Sequence, residues 1–141
     1  MIEIKLLGSN DSHSLQNVSE DVFDDPIVEA SAREFLEDPR HRLVVALDDG
    51  LVVGFVSAVI YLHPDKPGPE LWINEIGVAP AYQRQGIGKR LMRAVLQEAK
   101  RAGCTEAWVL TERENIAAMT MYRSAGGMES SPDPTLFTFP L

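Results

Sequence analysis

The run Gln83-Arg84-Gln85-Gly86-Ile87-Gly88 sits between two segments of opposite character. Before it, Glu70 to Val78 reads as a strand, closed by Ala79-Pro80. After it, Ile87, Leu91, Val95, Ala99 and Ala102 recur on one face of a helix that Gly103 terminates. Glycines at the mouth of a helix let main-chain N–H groups approach a ligand, and the first helical turn leaves those groups without internal acceptors. With Arg84 and Lys89 on either side, the stretch suits an anion such as a pyrophosphate. It is neither GxGxxG directly after a strand nor GxxxxGK[ST], which sets aside dinucleotide and P-loop sites. From spacing alone, Gly86 and Gly88 serving only a tight loop remains open.

On the C-terminal side, Thr105 to Thr111 is expected as a strand and Asn115 to Ser124 as a helix stopped by Gly126-Gly127. A last strand is expected around Leu136 to Phe139. On the N-terminal side, Arg42 to Leu47 and Leu51 to Tyr61 flank Asp48-Asp49-Gly50, a hairpin turn. His63 to Pro69, with three prolines and a glycine, can be neither strand nor helix. Ile2 to Leu7 alternates as a first strand, and residues 9 to 23 read as weak helix or loop. Asp25-Pro26 predicts an N-cap and first helical residue, Val28, Ala32, Phe35 and Leu36 recur at helical spacing, and Pro39 is the stop. Antiparallel strands followed by strand-helix-strand-helix-strand predict one α+β (mixed α/β) domain over residues 1–141.

Composition bounds the partners. The 141 residues are 45% hydrophobic, enough for one continuous core. With no run of about 18 apolar residues and no signal-like N-terminus, a soluble, cytoplasmic chain without membrane partners is expected. Cys104 is the only cysteine, expected as a partly buried thiol in a helix-to-strand turn, and His13, His41 and His63 are scattered without metal-ligand spacing, so no metal is expected. The net charge of −8 is confined to residues 1 to 50, with 12 acidic and 4 basic side chains; residues 51 to 141 hold 9 of each. Residues 83 to 101 balance to +5. A polyanion at one place and a cation at another would suit this pattern, as would a solvated helix face beside an acidic surface. Nucleic acid is not expected.

A second constellation is Asn115, Ala118 and Tyr122, at i, i+3 and i+7 on one helical face. A core aromatic over a small alanine explains that spacing, and so does a tyrosine hydroxyl aimed at a ligand.

The run from Ile73 to Met92 resembles the signature of the GNAT superfamily of N-acetyltransferases, in which [QR]xxGx[GA] follows a strand and opens a helix. That resemblance implies a central mixed, mostly antiparallel sheet of about six to seven strands with about four helices. It implies acetyl-CoA as cosubstrate, with main-chain N–H groups of Arg84 to Lys89 on its pyrophosphate and its pantetheine arm along Ile76, Gly77 and Val78. Gln83, Gln85, Gly86, Ile87, Gly88, Asn115 and Ala118 complete the implied coenzyme site. Tyr122 would protonate the departing thiolate, and an N–H near Ile76 or Gly77 would hold the oxyanion. An attacking amine must be neutral, and Glu75, on the strand beside the thioester, is the candidate base; a solvent-facing strand carboxylate is the other reading.

Within the superfamily, Tyr61-Leu62-His63-Pro64, the Pro-rich loop and Glu70-Leu71-Trp72-Ile73-Asn74-Glu75 look similar to the aminoglycoside 3-N-acetyltransferases. A polyamine antibiotic also suits Glu20, Asp21, Asp24, Asp25 and Glu29 in the acidic first third. The expected acceptor is therefore an aminoglycoside 3-amino group or a similar small cationic amine. A polyamine, another small amine or a protein amine is the alternative, and a non-catalytic acetyl-CoA-binding module is a further one. The late strand at Phe137 and Phe139 would either close a homodimer or pack internally.

Overall fold

The computed structural model describes residues 1–130 and 135–141. Its sheet holds five strands in chain order: β1 (Ile2–Leu7), β2 (His41–Asp48), β3 (Leu51–Tyr61), β4 (Glu70–Val78) and β5 (Glu106–Val109). The first four are antiparallel, and β5 runs parallel to β4. The parallel step needs a crossover, which α2 (Ile87–Arg101) supplies. Two further helices, α1 (Glu29–Glu37) and α3 (Ile116–Ser124), complete the α+β domain.

Each sheet face has its own core. Leu91 and Val95 of α2, both fully buried, press on Val44, Val53, Val56, Leu71 and Ile73. Each such side chain contributes about 1.5–3 kcal/mol by leaving water. On the other face, Leu15 and Val22 from the connection before α1 cover Leu43, Val45, Val52 and Phe55.

One irregularity in β4 matters for the site. Ile73 pairs with Ala58 but Glu75 pairs with Ser57, so Asn74 is the extra residue of a β-bulge. The bulge shifts the side-chain phase. Leu71 and Ile73 face α2 before it, and Ile76 and Val78 face α2 after it. Glu75 and Gly77 are thereby turned to the opposite face.

Three sequence expectations are corrected. No strand forms around Leu136 to Phe139; Phe137 and Phe139 are 77% and 78% exposed rather than packed internally. The alternation is present, but among the described residues the segment meets no strand to receive its N–H and C=O groups. The described residues accordingly give five strands and three α-helices rather than six or seven and four. The first helix begins at Glu29 instead of Pro26, with Val28 extended at its N-cap and no capping side chain. Phe23 stacks on Phe55 at 4.0 Å, and Ile27 packs into the same cluster, so Asp24 to Val28 stay outside the helix as a bend and loop. The weakly patterned residues 9 to 23 hold a 3-10 turn, Ser12–Gln16, and an isolated bridge from Val18 to Val52. Cys104 is half-buried in the turn between α2 and β5, and burial raises its thiol pKa. No helix among the described residues is long and apolar enough to cross a membrane.

Candidate active site

The loop from β4 to α2 is held at several points before it reaches its glycines. The Ala79 N–H donates to Val53 O at 2.8 Å, and Pro80–Tyr82 forms a 3-10 turn. The Tyr82 hydroxyl donates to Asp48 Oδ2 at 2.6 Å, a hydrogen bond that raises the Tyr82 pKa. Gln83 Nε2 donates to Val78 O at 3.0 Å, tying the loop back to the end of β4. Arg84 and Gly86 then take positive φ, 64° and 77°, and turn the chain into the helix. The first helical bond is from Arg90 N–H to Gly86 O, at 3.1 Å. The N–H groups of Ile87, Gly88 and Lys89 therefore have no acceptor within the helix. Arg84 and Lys89 are exposed beside them, whereas Arg90 is committed to Ile2 O at 2.9 Å.

Next to this loop, β4 has an open edge. Its pairing with β5 ends at Ile73 and Val109, so among the described residues β3 is the only strand paired with β4 beyond Ile73. Residues of an antiparallel pair direct both main-chain groups to the same neighbour and alternate along the strand. Since Ala79 bonds to β3, Val78 and Ile76 direct theirs into the lane that β5 vacates. A ligand chain with amide groups would pair there as an added strand does.

α3 borders the same side. The Ala118 N–H donates to Asn115 Oδ1 at 3.1 Å, so Asn115 is the helix N-cap. Tyr122, two turns further along the same face, packs on the cluster that also takes Ile76 and Val78, and burial raises its hydroxyl pKa above the ordinary value. A methyl group at Gly88 would stand 2.6 Å from Met121 Sδ, so α3 and the start of α2 are in close contact.

On the opposite face lies a pocket of about 340 Å³. Its floor is Leu43, Phe55, Ser57 and Glu75, and its wall is Phe23 to Val28 with Ala32 and Phe35 of α1. The rings are apolar; Asp24, Asp25 and Glu75 bring carboxylates to the same space. Of the acidic group anticipated in the first third, only Asp24 and Asp25 line it; Glu20, Asp21 and Glu29 do not. Glu75 and Tyr122 thus sit on opposite faces of the sheet, one at the pocket and the other on the α2 side.

A match to the model of the acetyltransferase (GNAT) family extends over residues 12–127. The chain belongs to the GNAT acetyltransferase family. It is 40% identical over 105 residues to the N-alpha-acetyltransferase RimI of Mycobacterium tuberculosis; the match takes in 74% of this chain and 63% of that protein. The chain thus spans less than two thirds of that relative. It is 27% identical over 104 residues to the aminoglycoside N(6')-acetyltransferase type 1 of Salmonella typhimurium, covering 72% of each. In fold it resembles the aminoglycoside acetyltransferase meta-AAC0020 from an uncultured soil metagenomic sample, with a TM-score of 0.82, 23% identity, and 99% and 97% of the two chains covered.

GNAT acetyltransferases take their acetyl group from acetyl-CoA. The residues here fit that donor: an open helix N-terminus flanked by exposed cations for phosphates, and an unpaired strand edge for amides. Among the described residues no group of three or more His, Cys, Asp or Glu is placed to hold a metal ion. The sequence reading missed the pocket's aromatic wall and the Tyr82–Asp48 tie. The first depends on contacts with Phe55, and the second spans 34 positions, so neither leaves a local pattern. The bulge did leave one, in the change from odd to even apolar positions between Ile73 and Ile76.

Proposed function

We propose that this GNAT protein acetylates a primary amine of a polycationic small molecule of aminoglycoside type. The observation that carries the proposal is the pocket that Asp24, Asp25 and Glu75 line beside the open edge of β4. Three carboxylates there favour an acceptor with several ammonium groups, and the aromatic wall suits its ring faces.

The thioester brings its own acyl-transfer reactivity. The chain's residues orient and exchange protons around it. Main-chain N–H groups at the start of α2 bind the phosphates, and Ile76 and Val78 align the pantetheine arm. Glu75 takes the proton of the bound amine, and Tyr122, held neutral by burial, gives one to the departing thiolate. The Ile76 N–H, which points into the lane left by β5, supports the developing oxyanion; the Gly77 N–H is directed to β3.

A second reading, transfer to a protein α-amine, is favoured by the 40% identity to RimI. Thiol release from acetyl-CoA with a panel of aminoglycosides, polyamines and N-terminal peptides separates the two. Turnover only with peptides overturns the aminoglycoside reading, and no turnover with any amine overturns both. Product analysis then decides between the 3-amino group expected from the sequence and the 6'-amino group named for the Salmonella relative. A homodimer is proposed on the exposed Phe137 and Phe139 and the outer edge of β5, which pairs with no strand among the described residues; a monomeric mass by light scattering would exclude it.

A further inference from the structure

The chain has two tryptophans, and the fold brings them together. Trp72 and Trp108 are register partners across β4 and β5, with ring centroids 5.4 Å apart and planes within 9°. They lie on the pocket face. Trp72 pairs with Val59 and Glu75 with Ser57, so Trp72 stands one row from Glu75, about 7 Å along the strand. Neither indole is fully buried.

The stack is held in place from behind. Trp108 Nε1 donates to the Tyr61 hydroxyl, which donates to Glu70 Oε1 at 3.1 Å. Glu70 is 8% exposed, and His63 Nε2 stands 3.3 Å from its second oxygen. The indole N–H is thereby satisfied and its ring fixed, so the aromatic faces need no reordering to receive a ligand. Glu106, exposed and in register with Glu70, adds a carboxylate at the same rim. Fixed, partly exposed indoles bordered by carboxylates suit a cationic ring, through cation–π attraction and contact with its C–H face.

We propose that Trp72 and Trp108 form a second acceptor subsite, which stacks a distal amino-sugar ring while the reacting amine lies at Glu75. This rests on the aminoglycoside-type reading above. It also defines the specificity: acceptors with two or more rings gain over single-ring amines.

Because the pair comprises every tryptophan in the chain, intrinsic emission reports the subsite directly. Titrating the wild-type protein with a three-ring aminoglycoside, without acetyl-CoA, is expected to change that emission saturably, and a single-ring amino sugar far less. Trp108→Leu is expected to raise the KM of the three-ring acceptor about tenfold relative to that of the single-ring amine, and Trp108→Phe to restore most of the difference. Unchanged wild-type emission, or an unchanged KM ratio in a Trp108→Leu protein that still melts cooperatively, overturns the subsite. Absence of turnover with every aminoglycoside is visible before any variant is made, and it overturns the acceptor reading itself.

Discussion

Gly88 and Met121 join the phosphate end of the site to the helix that carries Tyr122: a methyl group at position 88 would stand 2.6 Å from the Met121 sulfur. Alanine there gains up to about 1 kcal/mol of helix propensity but overpacks by about 1–3 kcal/mol. Gly88→Ala is therefore expected to lower the melting temperature. A double-mutant cycle with Met121→Ala should give a coupling of about 1 kcal/mol. Strict additivity would mean that the two helices do not lock here.

Gly86 behaves differently. A side chain at this position meets nothing within 4 Å, yet its φ of 77° disfavours any L-residue. Gly86→Ala is expected to cost about 1–2 kcal/mol of local conformational energy, relieved by reshaping the loop. The measurement is KM for acetyl-CoA, which should rise severalfold while Gly86→Asn, more tolerant of this region, rises less.

Tyr122→Phe removes the hydroxyl and keeps the packing. Loss of a general acid is expected to lower kcat about 100-fold or more. Burial raises the Tyr122 pKa above its ordinary 10.0, so the wild-type contribution should persist through neutral and mildly alkaline pH and fall only above that range. Equal rates for the two proteins across pH would remove Tyr122 from the chemistry.

Glu75→Gln keeps the shape of the pocket floor and removes its carboxylate. If Glu75 is the base, kcat/KM for the acceptor falls about 100-fold at neutral pH and recovers as rising pH deprotonates the amine in solution. If it only binds the ammonium, the acceptor KM rises and the pH profile keeps its shape.

Loss of stability at acid pH has an identifiable source in Glu98, which is 7% exposed and bonded to Arg101 Nε at 2.8 Å and Arg42 Nε at 2.9 Å. The Arg101 hydrogen bonds lead the causes that lower its pKa below the ordinary 4.5. A lowered folded-state value means a contribution fully present above about pH 4.5 and lost as pH falls through the folded pKa. Glu98→Gln should cost about 1–3 kcal/mol at pH 7, measured by urea unfolding, and the difference from wild type should shrink toward pH 3.

Much of this was legible in local pattern. The period of Leu91, Val95 and Ala99 marked α2, Asp48-Asp49-Gly50 marked the hairpin, and Pro80 with Gly103 marked the ends of β4 and α2. The expected helix start at Pro26 failed because a good capping pair lost to a tertiary contact, Phe23 on Phe55. The strand at Leu136 to Phe139 failed because alternation says which residues suit a strand and nothing about whether a partner lies beside it.

By itself, the sequence determined the element order from Ile2 to Ser124, the family motif from Gln83 to Gly88 and the charge division between the two ends of the chain, since propensity, glycine conformation and net charge are properties of neighbouring residues. The tertiary structure alone decided that Glu75 lines one pocket with Asp24 and Asp25, that β5 leaves β4 at Ile73, and that Trp72 meets Trp108. Those relationships join residues 36 to 51 positions apart, and only the register of paired strands and the packing of the loop before α1 bring such distant side chains to one place.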